Sequence, residues 1–550
     1  MRYKPLLILL ILFAFICGIS SASASDLSND TDMETYSAEI TGINNENQSI
    51  LTDTGNTVYA NNWNELKTYC EKSDKNYIIH LKENTNFYPD NGTDYSQQII
   101  VKNNVTIIGS EGSYFGDTNP NPISIYYTPI VTEDDSKISL KILNTTFKWM
   151  DLEKNIPAES GMFIQMGGNS KDNLLENSTF YNINSGTGHG CVYYLKRGYA
   201  TVKNCSFKNI TTEFGVLSIY DPAEDPTKNC TTAGMLVENC YFEDNYAHVE
   251  PGCINNCGQL IVKNSTFYKN RAFWWAGAIH THGGANTTIY NSNFTDNVAG
   301  WNGGALYTYS YLQIYNTTFT GNNCTTNNGG GAIGACDYLT KYYITINNSL
   351  FENNANICKN TGRGGAISVM DEGGLTIHNT KFINNSAAIG QAICAYYVEG
   401  YGDDPNIELI NNTFINHTGA ADTLTIKLKT GTNTTAILKN NTYLNSTIKL
   451  KTFNIVPTSS NIEINKEYEF KVIIELDNAG GYDEDILNKT FYKLYVNEIF
   501  EKEFGPESTF KLNITQKETL LTIIPTIGYG NSKNITITSR NTTTLTLGVK

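Results

Sequence analysis

One phrase recurs along the middle of this chain and limits its fold more than any other feature. It is a short alternating apolar stretch, then Asn, two further residues, then Phe, as in Ile142-Leu143-Asn144-x-x-Phe147. It returns with the pairs Asn177/Phe180, Asn204/Phe207, Asn239/Phe242, Asn264/Phe267, Asn291/Phe294, Asn316/Phe319, Asn348/Phe351, Asn379/Phe382 and Asn411/Phe414, and ends at Asn440/Tyr443. These eleven copies are spaced 25 to 35 residues apart. A second phrase, Gly-Gly-Ala before an aliphatic residue, lies between them at Gly303-Gly304-Ala305-Leu306, Gly330-Gly331-Ala332-Ile333 and Gly364-Gly365-Ala366-Ile367. Looser copies are Gly252-Cys253-Ile254, Ala276-Gly277-Ala278-Ile279 and Gly390-Gln391-Ala392-Ile393. A third element is Asn three residues after the Phe, at Asn245, Asn270, Asn297, Asn322, Asn354 and Asn385.

A period of this length admits helical or β solenoids. Helical repeats need uninterrupted helix-forming stretches of ten or more residues. Here the apolar pattern is short and alternating, as in Leu375-Thr376-Ile377, and Asn, Thr and Gly interrupt the rest. The unit therefore predicts one rung of an all-β, right-handed parallel β-helix. Rungs stack about 4.8 Å apart, so a residue type repeated at one rung position becomes a column through the interior. Phe over Phe predicts an aromatic stack, and ten steps predict a rod section about 50 Å long. The Asn before each Phe suits a left-handed turn, and its amide could bond the Asn of the next rung, as in stacked Asn ladders. Gly-Gly-Ala removes bulk where the chain bends tightly.

The ends differ. Arg2 and Lys4 precede an apolar run from Leu6 to Ile19 and then Ser20-Ser21-Ala22-Ser23-Ala24. This reads as a signal peptide over residues 1–24, cleaved after Ala24. The run is too short for the roughly 20 residues that span a bilayer, so no membrane span is expected in the mature chain. Residues 25–55 read as a flexible polar leader. Within the β-helix assigned to residues 56–450, the stretch Trp63 to Cys70 predicts a capping helix with Trp63, Leu66, Tyr69 and Cys70 on one face. Such a cap shields the open strand edges of a first rung. After about residue 450 the repeat stops. Short strand-like stretches over 451–550 predict an immunoglobulin-like β-sandwich, with a hairpin turn at Val496-Asn497-Glu498. The net charge of −15 argues against a nucleic-acid partner.

Phe-x-x-Asn followed by Gly-Gly-Ala, as in Phe294-Thr-Asp-Asn297 leading to Gly303-Gly304-Ala305-Leu306, and Phe351-Glu-Asn-Asn354 leading to Gly364-Gly365-Ala366-Ile367, resembles the repeat of chlamydial polymorphic outer-membrane proteins. With its Asn- and Thr-rich composition, the chain is also similar to the adhesin-like surface proteins of methanogenic archaea. The resemblance covers roughly residues 56 to 450 and implies a pectate-lyase-like β-helix with an adhesive role. No autotransporter barrel pattern follows, so that export route does not carry over.

Candidate sites are few. Gly188-His189-Gly190 resembles a motif of polygalacturonases, but the paired carboxylates that glycoside hydrolysis uses have no matching motif. A structural turn is the preferred reading. A pectate-lyase mechanism would need clustered acids holding Ca²⁺ and an arginine base. Arg197, Arg271 and Arg363 fall on separate rungs, and Asp244 and Asp296 read as solvated rung acids. Asp371-Glu372 and Asp403-Asp404 sit in expected loops that could touch Ca²⁺ weakly. His280-Thr281-His282 could present two imidazoles on one face of a strand, with no third ligand evident. No catalytic residue, resident metal or cofactor is therefore assigned. Phe273-Trp274-Trp275 and Trp301 lie on neighbouring rungs. They read either as internal packing or as an aromatic platform for a sugar or partner protein, with Trp274, Trp275 and Trp301 as the platform residues.

Of twelve cysteines, Cys17 leaves with the signal, and eleven, an odd number, remain. Cys205 and Cys240 share a repeat position on successive rungs, and Cys324 and Cys358 lie in comparable loops. Both pairs are disulfide candidates in an exported chain. About 25 Asn-x-Ser/Thr sequons suggest N-glycosylation, with Asn286, Asn433 and Asn541 the preferred acceptors. Repeat-phrase sequons such as Asn144 or Asn316 would be barred from carrying a glycan if they pointed inward. The expectation is a secreted or cell-surface adhesin-like protein contacting glycans, cells or the envelope, with a carbohydrate or a cell-surface protein as partner. A polysaccharide lyase or glycoside hydrolase, and a structural surface spacer, are the alternatives.

Overall fold

A computed structural model describes residues 56–548, apart from 134–135, 153–161, 186–189, 221–231, 328, 337–340, 372, 399–403, 428–435, 448–449, 477–489, 506–507, 517, 528–536 and 539–542. The signal, the leader, His189, Glu372, Asp403, Asn433 and Asn541 lie outside the described residues.

The body is a right-handed parallel β-helix whose rungs contribute to three sheets. The first sheet has 14 strands, from Asn56–Ala60 to Ile437–Lys439, and the third has 12, from Ile99–Val101 to Leu424–Lys427. Between them lies the Phe-bearing second sheet, from Asn86–Phe87 to Thr442–Leu444. Every pairing in the three sheets is parallel and joins one rung to the next, as when Asn286–Tyr290 pairs with Tyr311–Tyr315. Inward positions alternate with outward ones, so Ile289, Ile314 and Ile346 form one buried column and Ile279, Leu306 and Ile333 another.

The repeat sets the register. Phe267 pairs with Phe294, Phe294 with Phe319 and Phe319 with Phe351, all fully buried. Their rings stack with centroids 4.6, 4.9 and 4.7 Å apart and planes within 9° of parallel. The column runs from Phe87 through Phe115 and Phe147 to Phe414 and Tyr443, two rungs further toward the N-terminus than the repeat phrase predicted.

The Asn before each Phe adopts the left-handed conformation, with φ of 50–53° at Asn177, Asn204 and Asn239. It turns the chain from the first sheet into the second. Its side chain lies outside, where Asn204 Nδ2 donates to Asn177 Oδ1 at 3.0 Å. These sequons are therefore exposed, and the barrier expected of inward-facing ones does not apply. The buried ladder belongs to the other Asn. From Asn245 through Asn270, Asn297, Asn322 and Asn354 to Asn385, each Nδ2 donates to the next Oδ1 at 2.9–3.0 Å. Each amide also donates to a Phe carbonyl of the preceding rung, as Asn322 does to Phe294 at 2.9 Å. His417 ends the ladder.

At the Gly-Gly-Ala corner the successive backbones touch. A Cβ on Gly304 would lie 2.0 Å from the Gly331 carbonyl oxygen, which is why no side chain fits there.

The capping helix forms over Trp63–Cys70. Asn62 accepts from the Glu65 N–H, and Glu65 returns a bond from the Asn61 N–H. Trp63, Leu66 and Cys70 are buried, with Trp63 edge-on to Phe115, and Tyr69 packs partly buried beside them.

Beyond residue 450 the strands become antiparallel. Leu450–Pro457, Lys466–Leu476 and Thr509–Ile514 form one sheet, while Ile499–Phe504, Thr490–Val496, Glu518–Ile527, Ile537–Thr538 and Thr543–Gly548 form another. Phe470, Phe510 and Ile514 of one sheet share an apolar core with Tyr492, Leu494 and Ile523 of the other. Asn497 and Glu498, both at positive φ, make the expected hairpin turn.

Candidate functional site

In most parallel β-helix rungs an outward side chain meets solvent. On the third sheet, from Leu217–Ile219 to Ile393–Tyr396, it does not: every strand residue there is buried. Asn255, His280 and Tyr307 are register partners on three successive rungs and all three are buried, although all point away from the core. Val249, Trp274 and Trp301 stand in line in the segments leading into these strands, with the Trp274 N–H donating to Val249 and the Trp301 N–H to Trp274. Glu250 therefore occupies the rung position that Trp275 and Asn302 fill on the next two rungs.

This alignment brings Glu250 to the histidines. The ligand atoms of Glu250, His280 and His282 lie within 4.8 Å of one another. Glu250 Oε2 approaches His280 Nδ1 to 2.6 Å, yet neither atom makes a hydrogen bond, and His280 Nε2 makes none either. The half-buried His282 places Nε2 2.8 Å from Asn255 Oδ1, which suits a ring donating from Nε2 and keeping its Nδ1 lone pair free. Trp275, Tyr307 and Tyr309 pack around the imidazoles, with centroids 5.9, 5.3 and 5.2 Å from that of His280. Burial lifts the Glu250 carboxyl to about 7 and holds both imidazoles down at about 3, because each charged form loses its water.

The same segments carry the aromatic residues flagged by the sequence. Phe273, Trp274 and Trp301 are 59, 42 and 48% exposed. Trp274 and Trp301 have centroids 6.1 Å apart, and Trp275 stacks on Trp301 at 6.0 Å with planes 15° apart. The two readings therefore divide: Trp275 is half-buried packing, whereas Trp274 and Trp301 face solvent.

Further along the same face, Arg363, Ile389, Cys394, Tyr396, Val398 and Lys427 line a recess of about 340 Å³. The Arg363 guanidinium lies 3.9 Å over the Tyr396 ring and donates to its hydroxyl. Asp371 is buried, accepting from the Val398 N–H at 2.7 Å, and Asp404 is buried too, so neither is the open loop acid expected for Ca²⁺. Asp244 and Asp296 occupy left-handed turns, and Arg271 is exposed on its strand.

Neither expected disulfide is formed. Cys205 and Cys240 are buried thiols on adjacent rungs, and each donates to main-chain carbonyls, Cys205 to Lys203 and Cys240 to Glu238. Cys324 points at the Trp301 carbonyl, and Cys358 sits against Thr361, so these two serve different partners. Asn286 is half-buried at the start of its strand.

The sequence expectation of no third ligand beside His280-Thr281-His282 is corrected by Glu250. The signal was rung alignment. Glu250 precedes Gly252-Cys253-Ile254 as Trp275 precedes Gly277-Ala278-Ile279. What the alignment lacked was the direction of the side chain.

Comparisons with known proteins agree with this architecture. Residues 129–319 match the family model described as the right handed beta helix region. No curated protein sequence matches. Among solved structures, the chain is similar to the tailspike protein of E. coli bacteriophage HK620, solved with a pentasaccharide. That match has 13% identity over 85% of each chain and a TM-score of 0.40. It is also similar to a mannuronic acid specific polysaccharide family 6 lyase from human gut microbiota, at 9% identity over 68% of this chain and 82% of that one, TM-score 0.26. A third is the catalytic domain of a GH87 alpha-1,3-glucanase, at 12% identity over 72 and 68%, TM-score 0.24. No helix among the described residues is long and apolar enough to cross a membrane.

Proposed function

We propose that this chain is an extracellular, adhesin-like protein that binds carbohydrate through the outer segments of its third sheet. The observation that carries this reading is the exposed cluster of Phe273, Trp274 and Trp301 on successive rungs of a rigid scaffold. Flat aromatic faces stack on the C–H faces of pyranose rings at little entropic cost, because the indoles are already held by their neighbours. The net charge of −15 disfavours polyanionic chains, so neutral glycans are the preferred ligands. The apolar run and small residues of 1–24 support export, and the exposed sequons are compatible with it.

A glycan array probed with the purified chain tests the reading. Binding to a neutral glycan is expected, and Trp274→Ala combined with Trp301→Ala should weaken it at least tenfold without changing the melting curve. An array with no binding above background would overturn the reading, and a double variant that binds like the parent would remove the indoles as its site.

A second reading, polysaccharide cleavage, is favoured by one observation. The Glu250 carboxyl at about 7 has the character of a general acid and lies beside the same aromatic segments. Turnover of pectin or a uronate polymer that is abolished by Glu250→Gln would establish it.

A further inference from the structure

We propose that Glu250, His280 and His282 bind a divalent transition-metal ion of the zinc type through two imidazole nitrogens and one carboxylate oxygen. Three observations converge. The donor atoms already lie within 4.8 Å of one another, whereas tetrahedral coordination at about 2.0–2.2 Å sets donors about 3.3–3.6 Å apart. A modest adjustment of side-chain torsions meets that geometry.

The second observation is the state of the polar atoms. Along the Asn ladder the buried amides are saturated; Asn322, for example, uses both Nδ2 protons and accepts twice at Oδ1. At the cluster, both nitrogens of fully buried His280 and Glu250 Oε2 lack hydrogen bonds. Buried orphan atoms cost about 1–3 kcal/mol each, and a cation held by Glu250 Oε2 and one His280 nitrogen would satisfy two of these three.

The third is the surrounding shell. Asn255 Oδ1 holds His282 through Nε2, the outer contact that fixes a ligating imidazole and raises its basicity. Trp275, Tyr307 and Tyr309 wall the site with low-dielectric surface. Two nitrogens and one oxygen select a borderline dication over Ca²⁺ or Mg²⁺, which prefer all-oxygen sets. A three-ligand set leaves further coordination positions for water or a ligand group.

The test uses the tag-free full chain, stripped with a chelator and titrated with Zn²⁺ and, separately, Co²⁺. One equivalent of Zn²⁺ is expected to bind. Glu250→Gln should lower affinity at least tenfold and His280→Ala or His282→Ala at least a hundredfold, while His378→Ala, in a separate surface pair with Glu408, should not change it. The Co²⁺ adduct should show visible d–d bands without thiolate charge transfer, which excludes capture by cysteines. Glu250→Gln preserves shape, so it reports even if a histidine variant misfolds. Absence of stoichiometric binding, affinity unaltered in all three ligand variants, or a thiolate band would each overturn the proposal.

Discussion

Phe319→Ala should destabilise the rod by about 3–5 kcal/mol, and the damage should be local. Phe319 is fully buried, with Phe294 4.9 Å below and Phe351 4.7 Å above. Truncation removes roughly 120 Å² of buried apolar surface, about 3 kcal/mol at 25 cal/mol/Å². Two stacking contacts add about 0.5–1.5 kcal/mol each, and partial closure of the gap by the flanking rings returns some of it. In a solenoid each rung contacts only its neighbours, so the loss falls on two interfaces and a single global unfolding energy is the wrong readout. Amide hydrogen exchange is the right one. Amides of residues 312–320 and of the two flanking rungs should exchange roughly 10²- to 10⁴-fold faster, while those around Phe147 should not change. Tyr443→Ala, at a position with one stacking neighbour among the described residues, should cost less. If Phe319→Ala kept parental exchange and melting, the ring column would not be what holds successive rungs together.

Asn322→Leu should cost about 2–5 kcal/mol by denaturant titration, because it orphans the Phe294 carbonyl and the Asn297 N–H. Gly304→Ala should destabilise by about 2 kcal/mol or more, whereas Gly374→Ala, whose Cβ would meet only the Tyr343 ring, at 3.2 Å and beyond, should be mild. His417 is buried and held down at about 3, below its unfolded value near 6.5, so the unfolded chain takes up the proton first. Stability from this residue is complete above pH 6.5 and is lost as pH falls toward 3. At pH 4.5 His417→Asn should be less acid-sensitive than the parent by about 2–3 kcal/mol in pH-dependent denaturant melts.

The architecture was legible because the repeat is both chemical and geometric. A phrase pairing a left-handed turn residue with a large ring states where the chain bends and what it buries. The two early rungs were legible as well. Asn84 and Phe87 carry the phrase, and in the next rung Gly112 stands where Asn would, also at positive φ, before Phe115. Reading the turn as a conformation rather than as a residue type would have found both. The expected ladder exists outside the rod, from Asn144 through Asn177 and Asn204 to Asn239, but the buried ladder of the other Asn was not foreseen because spacing alone does not tell inward from outward after a turn. A second left-handed residue, such as Asp244, Lys269 or Asp296, follows the Phe strand and reverses the alternation, so the Asn after it points inward. The candidate site was legible only in fragments. His280 and His282 share a strand face in any alternating pattern, but Glu250 reaches them from the segment leading into the strand one rung away.

That division follows from how a β-helix spends its sequence. The interior asks each rung for the same few residues, and the Phe and Asn columns satisfy that demand almost without exception. The segments leading into the third-sheet strands face no such demand, so a departure there from ordinary burial rules is informative. Between residues 249 and 309 three departures coincide: exposed indoles, buried imidazoles and a buried carboxyl without hydrogen bonds at Oε2. Each is unfavourable to folding, and hydrophobic or saturated alternatives exist at the same rung positions elsewhere, as with Ser368 and Cys394 in the column of His280. A scaffold this redundant can tolerate a costly patch on one face, because stability lost there is local and the rungs on either side remain stacked. The face that breaks the rules is therefore the face on which recognition or chemistry is to be sought.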